Sequence, residues 1–271
     1  MKKRLFIFVL LLLGTFTCQA SSEYSKILKS TDNDLKYEAA VRYFDSEKYS
    51  KAVTLFEQIA KAFRGTDKAE KILYMLATSH TKLKDYESGA HYYNTYTLTY
   101  LTGDHFAECL YMLGYCYYQM SPESELDQTP TNKAIDAFQY YLSMYPKEEH
   151  AEKVKKYLND MYEKLAVREL ASAKLYYNLG DYKGNNYRSA IITAMNAMND
   201  YPDSRFLEDF AMIVVRSKYK EAIKSVDSKI QARSSDATDE CHYFLQEYPE
   251  SKYVKEVNKI INHLGKYYKP E

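Results

Sequence analysis

The side chains that carry most protein chemistry are few in this chain and are widely spaced. Six histidines lie at positions 80, 91, 105, 150, 242 and 263. They form no HExxH or His-x-His pair, the cysteines form no CxxC pair, and the chain contains no GxSxG, GxGxxG or P-loop motif. Metal, nucleophile and phosphate sites need such groups at close, fixed spacing. We therefore expect no catalytic residues, no metal site and no cofactor.

Three of the four cysteines are expected to be structural. Cys109 and Cys116 lie seven residues apart on one predicted helix, which separates them by about 10 Å along the axis at about 1.5 Å per residue. That distance is too long for a disulfide. Like Cys241, they are typical of small buried residues at helix contacts. Cys18 differs, because it follows an apolar run near the N-terminus.

Residues 1–17 are predicted to be a secretory signal peptide. Three basic residues precede an apolar run from Leu5 to Leu13, which is too short to span a bilayer stably. Cleavage after Thr17 would make Cys18 a lipid-bearing N-terminus, whereas ordinary signal cleavage would follow Ala20. The preceding Thr-Phe-Thr lacks the leucine and small residue of the usual lipoprotein signal, so the residues alone leave both routes open.

Composition favours a helical protein without a nucleic-acid partner. The chain has 37 basic and 37 acidic residues, and loss of the signal would leave a small net negative charge. Binding to nucleic acid is normally accompanied by a basic surplus. Glycine and proline number only eight and six, and no stretch alternates between apolar and polar residues as an amphipathic strand does. The pattern therefore predicts an all-α fold.

A short motif occurs five times, and we call it the repeat phrase. It consists of an aromatic residue, a turn that ends one predicted helix, and the start of the next helix. The copies start at Phe63, Tyr100, Tyr145, Tyr201 and Tyr248. Their spacing of 37 to 56 residues is typical of helical solenoids, in which each repeat buries its apolar face against its neighbours. Such arrays usually present binding surfaces, and they rarely carry catalytic sites.

Small and aromatic residues recur at fixed places within these units and resemble the tetratricopeptide repeat. The predicted structural anchors are Ala52, Phe56, Gly89, Tyr93, Gly114, Ala134, Phe138, Pro146, Pro202 and Pro249. Paired small and aromatic positions let two antiparallel helices approach closely. The resemblance implies an all-α, right-handed α-solenoid of about five helix pairs with a C-terminal capping helix.

The repeats suggest a division of the chain after the signal. Residues 18–30 are interpreted as a polar, lipidated tether, and residues 31–146 as repeats 1–3. Residues 147–271 are expected to hold a linker helix, repeats 4 and 5 and the capping helix. The stretch from Glu148 to Leu179 is consistent with one long helix or with two stacked helices, and its apolar stripe is more typical of core packing than of a partner site.

The chain contains 30 tyrosines and no tryptophan. The second repeat contains more tyrosines than one buried helix face can hold, so some of them are expected at the surface. Tyrosine is well suited to the recognition of an extended polypeptide. We therefore take Tyr86, Tyr92 and Tyr96 as a candidate groove for a polypeptide client, and we expect Tyr92 and Tyr96 to be exposed. The alternative is that these rings pack on the next repeat.

Several runs resemble the BamD family, lipoproteins of the β-barrel assembly machinery of the Gram-negative outer membrane. They are SSEYSKILKSTDNDLKYEAAVRYF from Ser21, LDQTPTNKAIDAFQYYLSMYP from Leu126, NLGDYK from Asn178 and YPDS from Tyr201. The resemblance covers nearly all of the chain after the signal. The insertion KGNNY from Lys183 departs from a minimal repeat.

This resemblance implies that Cys18 is acylated and holds the solenoid on the periplasmic face of the outer membrane. It also implies two partners: the polypeptide-transport-associated domains of the barrel protein BamA, and unfolded β-barrel clients. Two alternatives stay open. One is another periplasmic repeat adaptor for envelope synthesis or secretion, and the other is a glycan-capture outer-membrane lipoprotein, against which the lack of tryptophan counts.

Overall fold

A computed structural model describes residues 23–267 of the chain, and the regular secondary structure within that range is entirely helical. The helices are α1 (residues 23–29), α2 (Asn33–Asp45), α3 (Tyr49–Ile59), α4 (Lys68–Lys82), α5 (Tyr86–Thr99), α6 (Phe106–Met120), α7 (Thr129–Met144), α8 (Ala151–Leu179), α9 (Asn186–Asp200), α10 (Leu207–Ile223), α11 (Asp227–Glu247) and α12 (Val254–Leu264). The predicted signal peptide and Cys18 lie outside the described residues. No described helix is both long and apolar enough to cross a membrane.

Short side-chain caps and left-handed turn residues set the helix boundaries. Asp32 accepts a hydrogen bond from the amide of Leu35 at 3.0 Å, and Asp85 accepts one from the amide of Ser88 at 3.1 Å. Each cap satisfies a free amide of the first helical turn. Two equivalent turns, between α2 and α3 and between α4 and α5, contain Glu47 and Lys84 with positive φ values of 57° and 63°.

The chain divides into two compact units. Among the described residues, unit 1 comprises residues 23–121 and Thr129–Val154, and unit 2 comprises Pro122–Gln128 and residues 155–267. The main boundary therefore lies at 154, eight residues beyond the predicted one. The stretch from Glu148 to Leu179, for which the sequence is consistent with one helix or with two, forms the single helix α8.

Unit 1 is a stack of helix pairs. Helices α2 and α3, α4 and α5, and α6 and α7 pair in turn, and successive pairs pack through α3 against α4 and through α5 against α6. In unit 2, α8 and α9 share an alanine-rich core, α9 packs on α10, α10 on α11, and α12 covers α11 and part of α10. Because each pair buries its apolar face only against its neighbours, the all-α solenoid fold is confirmed.

The non-proline anchors are all buried, and two glycines explain why the helices approach so closely. A Cβ at Gly114 would lie 2.5 Å from the ring of Phe138, and a Cβ at Gly89 would lie 2.5 Å from the hydroxyl of Thr81. Ala52, Phe56, Tyr93 and Ala134 are 0–1% exposed. These side chains therefore form the contacts between helices.

The three prolines behave differently from the other anchors. Pro146, Pro202 and Pro249 are exposed, so they do not pack in the core as the other structural anchors do. Each follows a tyrosine whose amide makes the last helical hydrogen bond, for example from Tyr201 to the carbonyl of Ala197 at 3.0 Å. Proline has no amide hydrogen and cannot continue the helical ladder. These prolines end helices and do not fill the core.

The predicted tether is also partly wrong. Residues 23–29 form α1, and Ile27 is 6% exposed in the core of unit 1, with Tyr24 and Leu28 packed beside it. The cause is an apolar spacing of three and four residues, which places these side chains on one face of a helix. Only the part of the predicted tether before residue 23 lies outside the described range.

The insertion from Lys183 forms a turn that caps α9. Gly180 and Lys183 have φ values of 54° and 53°, and a Cβ at Gly180 would lie 2.7 Å from the hydroxyl of Tyr187. Asn185 accepts from the amide of Arg188 at 3.3 Å and donates to the carboxylate of Glu221 at 2.8 Å. The insertion therefore joins the start of α9 to the end of α10.

Every copy of the repeat phrase carries a base four or five residues after its first aromatic residue, and this base contacts the first helix of the preceding repeat. These bases are Lys68, His105, His150, Arg205 and Lys252. His105 stacks on Tyr74 and His150 stacks on Tyr111, with ring centroids 3.9 and 4.1 Å apart. This recurring contact joins neighbouring repeats through charge and ring stacking in addition to apolar packing.

The other three bases contact carboxylates. Lys68 Nζ lies 2.5 Å from Asp34 Oδ1, Arg205 Nε lies 3.5 Å from Glu163 Oε2, and Lys252 Nζ lies 4.0 Å from Asp209 Oδ1. The recurrence of a base four or five residues after each aromatic residue is visible in the sequence, but its contact with the preceding repeat is not.

Candidate functional site

A groove in unit 1 lies between α3 and α5. Its floor is the apolar side of α4, where Ala69, Ile72 and Leu73 face the opening, and its volume is about 550 Å³. We call it the α3–α5 groove. Its walls are formed by Glu57, Ala60, Lys61 and Arg64 on one side and by His91, Tyr92, Thr95, Thr99 and Tyr100 on the other.

Tyr92 is the only one of the three predicted client-binding tyrosines that lines this groove. Its ring stacks on the imidazole of His80 with centroids 5.3 Å apart. Burial, together with the nearby carboxylates of Glu57 and Asp85, raises the pKa of its phenol. The side chain therefore presents a neutral, amphipathic ring to the opening.

A buried histidine holds Tyr92 in place. His80 is 7% exposed, and its Nδ1 lies 2.9 Å from the carboxylate of Asp85 while its Nε2 lies 3.6 Å from Glu57. Burial tends to raise the pKa of Asp85, but hydrogen bonds from Ser88 and His80 outweigh burial and lower it. Since Asp85 also caps α5, this contact fixes α5 relative to α4.

Tyr96 does not line the groove, and the expectation that it is exposed is wrong. It is fully buried, its hydroxyl donates to the carboxylate of Glu70, and the same hydroxyl accepts from the amide of His105 at 3.1 Å. The reason is helical periodicity: Gly89, Tyr93 and Tyr96 follow a spacing of four and three residues, so they share the buried face.

Tyr86 is half-buried and packs away from the groove. Its ring meets the ring of Tyr115 on α6 edge-on, with centroids 6.3 Å apart. This contact corresponds to the alternative in which a tyrosine packs on the next repeat. The structure therefore does not bring the three predicted tyrosines together on one surface.

The cations on the groove wall have no carboxylate partner among residues 23–267. Lys61 and Arg64 are exposed and form no ion pair within that range, whereas the nearby Lys68 pairs with Asp34. An apolar floor, an amphipathic wall and unpaired positive charge suit an extended polypeptide that carries apolar and acidic side chains. Sequence reasoning missed Lys61 and Arg64, because the groove exists only once neighbouring repeats have packed.

A second recess lies between α8, α10 and α12 in unit 2. Its volume is about 300 Å³, and Tyr177, Lys220 and Lys259 line it. At its edge the guanidinium of Arg216 binds Glu256 with two hydrogen bonds of 2.7 and 2.6 Å. The recess therefore combines aromatic rings with two lysines that form no ion pair within the described range.

The described residues offer no site for metal or thiol chemistry. No group of histidine, cysteine, aspartate and glutamate among them is arranged to hold a metal ion. Cys109, Cys116 and Cys241 are buried thiols. Burial raises the pKa of Cys116 to about 11 and that of Cys241 to about 12, and it also raises the pKa of Cys109. Reactive cysteines require the opposite shift.

Comparison with known proteins identifies the family. The family model YfiO, described as an outer membrane lipoprotein, matches residues 29–182, more than half of the chain. No match to a curated protein was found. A solved structure described as the TPR2AB-domain:pHSP90-complex of yeast Sti1 is similar to 86% of this chain and 98% of that chain, with 10% sequence identity and a TM-score of 0.38. The chain belongs to the YfiO family of outer membrane lipoproteins.

Proposed function

We propose that this protein is a non-enzymatic lipoprotein scaffold of the β-barrel assembly machinery that binds BamA and unfolded outer-membrane protein clients. The observation that carries the proposal is the family match, which spans α2 to α8 and thus includes the repeats that form the α3–α5 groove. The runs that resemble the BamD family support the same role.

The α3–α5 groove is proposed as a client site. An extended segment lies along the floor of Ile72 and Leu73, and Tyr92 covers one side of it while Lys61 and Arg64 meet acidic groups. A volume of about 550 Å³ falls in the usual range for a binding site of about 300 to 1,000 Å³. High affinity is not required, because attachment of scaffold and insertase to one membrane raises their effective concentration.

Unit 2 is proposed as the dock for the polypeptide-transport-associated domains of BamA. The recess lined by Tyr177, Lys220 and Lys259 offers the kind of surface that such a dock needs. Aromatic rings contribute contact area with little loss of side-chain entropy, and lysines favour an acidic partner surface. Cys18 is proposed to carry the acyl chains that hold the protein on the periplasmic face of the outer membrane.

Site-specific photo-crosslinking tests the client site. A photoreactive residue at Tyr92 of the full chain is expected to crosslink to an unfolded β-barrel protein in native membranes. Leu98 is the matched control, because it lies on the same helix, is 72% exposed and does not line the groove. Equal adducts at both positions would contradict a client site in this groove.

The same experiment separates the alternatives. Adducts at Tyr92 with peptidoglycan synthases alone would favour an adaptor for envelope synthesis. Calorimetric binding of a sugar, in the absence of any client adduct, would favour glycan capture. The proposed function predicts client adducts and no heat of sugar binding.

A further inference from the structure

Unit 2 contains a groove at the position that corresponds to the α3–α5 groove of unit 1. It lies between α9 and α11 over Val214 of α10, with a volume of about 390 Å³. We call it the α9–α11 groove. Met195 lies six residues before Tyr201, as Glu57 lies six before Phe63, and Tyr243 lies five before Tyr248, as Thr95 lies five before Tyr100. The two grooves therefore use the same faces of the repeat.

The walls of the α9–α11 groove carry large apolar side chains. Met195 and Tyr243 are 48% and 54% exposed, and Ile192, one helical turn from Met195, is 52% exposed. Met198 lines the groove between them. A contiguous group of large exposed apolar side chains marks an interaction surface, and methionine adapts its shape to a partner.

The charge on this surface is negative, in contrast to the α3–α5 groove. Asp239 and Glu247 lie one turn before and one turn after Tyr243 on α11, and both are exposed without an ion-pair partner among residues 23–267. Asp236 and Glu240 share the single cation of Lys218, at 3.1 and 2.8 Å.

The facing helix does not compensate this charge. The only base of α9 is Arg188, which lies a turn before Ile192 at the far end of the helix. The chain as a whole has equal numbers of basic and acidic residues. The negative charge is therefore a local property of the α9–α11 groove, and not a reflection of an acidic protein.

We propose that the α9–α11 groove binds a basic amphipathic segment of a partner protein. The apolar face of the segment covers Met195, Met198 and Tyr243, and its lysines or arginines meet Asp239 and Glu247. Apolar anchors flanked by complementary charge are the usual means by which a groove recognises an amphipathic helix. This site is separate from client binding in unit 1 and does not depend on the identity of the client.

Two synthetic helical peptides with the same leucine face test the proposal. One carries lysine on its polar face and the other carries glutamate, and binding of each to the full chain with Cys18→Ala is followed by fluorescence anisotropy. The lysine peptide is expected to bind at least tenfold more tightly than the glutamate peptide. Its affinity is expected to fall with rising salt, because screening weakens exposed charge pairs.

Surface variants assign the binding to the groove. Met195→Ser combined with Tyr243→Ser should weaken the lysine peptide at least tenfold, and Asp239→Lys combined with Glu247→Lys should weaken it while strengthening the glutamate peptide. Leu175→Ser is the matched control, because Leu175 is 58% exposed in the same unit and does not line the groove. Circular dichroism checks that each variant keeps its helical content.

Three outcomes would overturn the proposal. The first is that neither peptide binds or that both bind equally. The second is that the groove variants bind the lysine peptide as the control does. The third is concentration-dependent self-association that the Met195→Ser, Tyr243→Ser variant abolishes, since it would show that a second copy of the chain covers the groove.

Discussion

At the scale of single residues, the fold depends on positions where one added atom or one lost hydroxyl changes the helix contacts. Gly114 and Phe138 form the tightest such contact in the third helix pair, and Tyr96 forms a buried polar contact between α4, α5 and the turn before α6. Both positions give predictions that require no knowledge of a partner.

Gly114→Ala is expected to destabilise the protein by about 1 to 3 kcal/mol, the usual cost of overpacking. The new Cβ would lie 2.5 Å from the ring of Phe138, so the ring or the helix must move. Gly265→Ala is the control, because its Cβ would meet no atom closer than 3.7 Å. Urea unfolding measures both, and equal midpoints would show that the contact does not constrain the helices.

Tyr96→Phe is expected to cost about 1 to 3 kcal/mol, because it leaves the carboxylate of Glu70 and the amide of His105 without their shared partner. Tyr92→Phe removes a hydroxyl that makes no hydrogen bond within the described range, and it should change stability by no more than about 0.5 kcal/mol. Thermal unfolding compares the two. A larger effect at Tyr92 would contradict the described placement of both rings.

At the scale of helices, most of the fold could be predicted from the sequence, because packed helix pairs require small and apolar residues at regular spacing. For example, the spacing of small and aromatic residues such as Ala52, Phe56 and Tyr93 predicts the first two helix pairs. Residues 23–29 are predicted to be part of the tether, since two helical turns with one set of apolar side chains, Tyr24, Ile27 and Leu28, are too short to distinguish from a linker. The cluster of tyrosines predicts an exposed Tyr96, whereas the helix face that Tyr96 shares with Gly89 and Tyr93 accounts for its burial.

The grooves could not be predicted, for a different physical reason. The α3–α5 groove is formed by side chains from three helices of two repeats, including Lys61 and Tyr92. Its shape depends on how closely those repeats pack, which no local pattern contains. By contrast, a base four or five residues after each aromatic residue is visible in the sequence, whereas its contact with the preceding repeat follows only from the distances.

The ion pair between α10 and α12 predicts a pH dependence of stability. Arg216 donates two hydrogen bonds to Glu256, and this interaction lowers the pKa of the carboxyl although burial opposes it. Because the pKa of the folded state is depressed, the stabilisation is present above the unfolded-state value of about 4.3 and is lost as the pH falls through the folded-state value.

Glu256→Gln tests this dependence. The variant should be less stable than the original chain at pH 7, and the difference should shrink as the pH falls below about 4.3, the ordinary value for glutamate. Urea unfolding at several pH values measures the effect. A difference between the two proteins that does not change with pH would contradict a contribution from the ionised carboxyl.

At the scale of the whole molecule, the proposed membrane anchor at Cys18 lies outside residues 23–267. Cys18→Ala is expected to release the protein into the soluble periplasmic fraction, because loss of acyl chains removes about 0.8 kcal/mol of membrane binding for each buried methylene. Cell fractionation with mass spectrometry of the N-terminus measures this. An unmodified N-terminus at Ser21 in the original protein would contradict lipidation at Cys18.

Quantitative crosslinking mass spectrometry on native membranes tests whether this protein is a scaffold of the β-barrel assembly machinery. The original chain is compared with a variant that carries Lys61→Glu and Arg64→Glu in the α3–α5 groove. We predict crosslinks from unit 2 to BamA at equal yield in both proteins, and crosslinks from unit 1 to unfolded β-barrel clients that fall severalfold in the variant. Absence of BamA from the crosslinks of the original chain, with other envelope proteins in its place, would contradict the account.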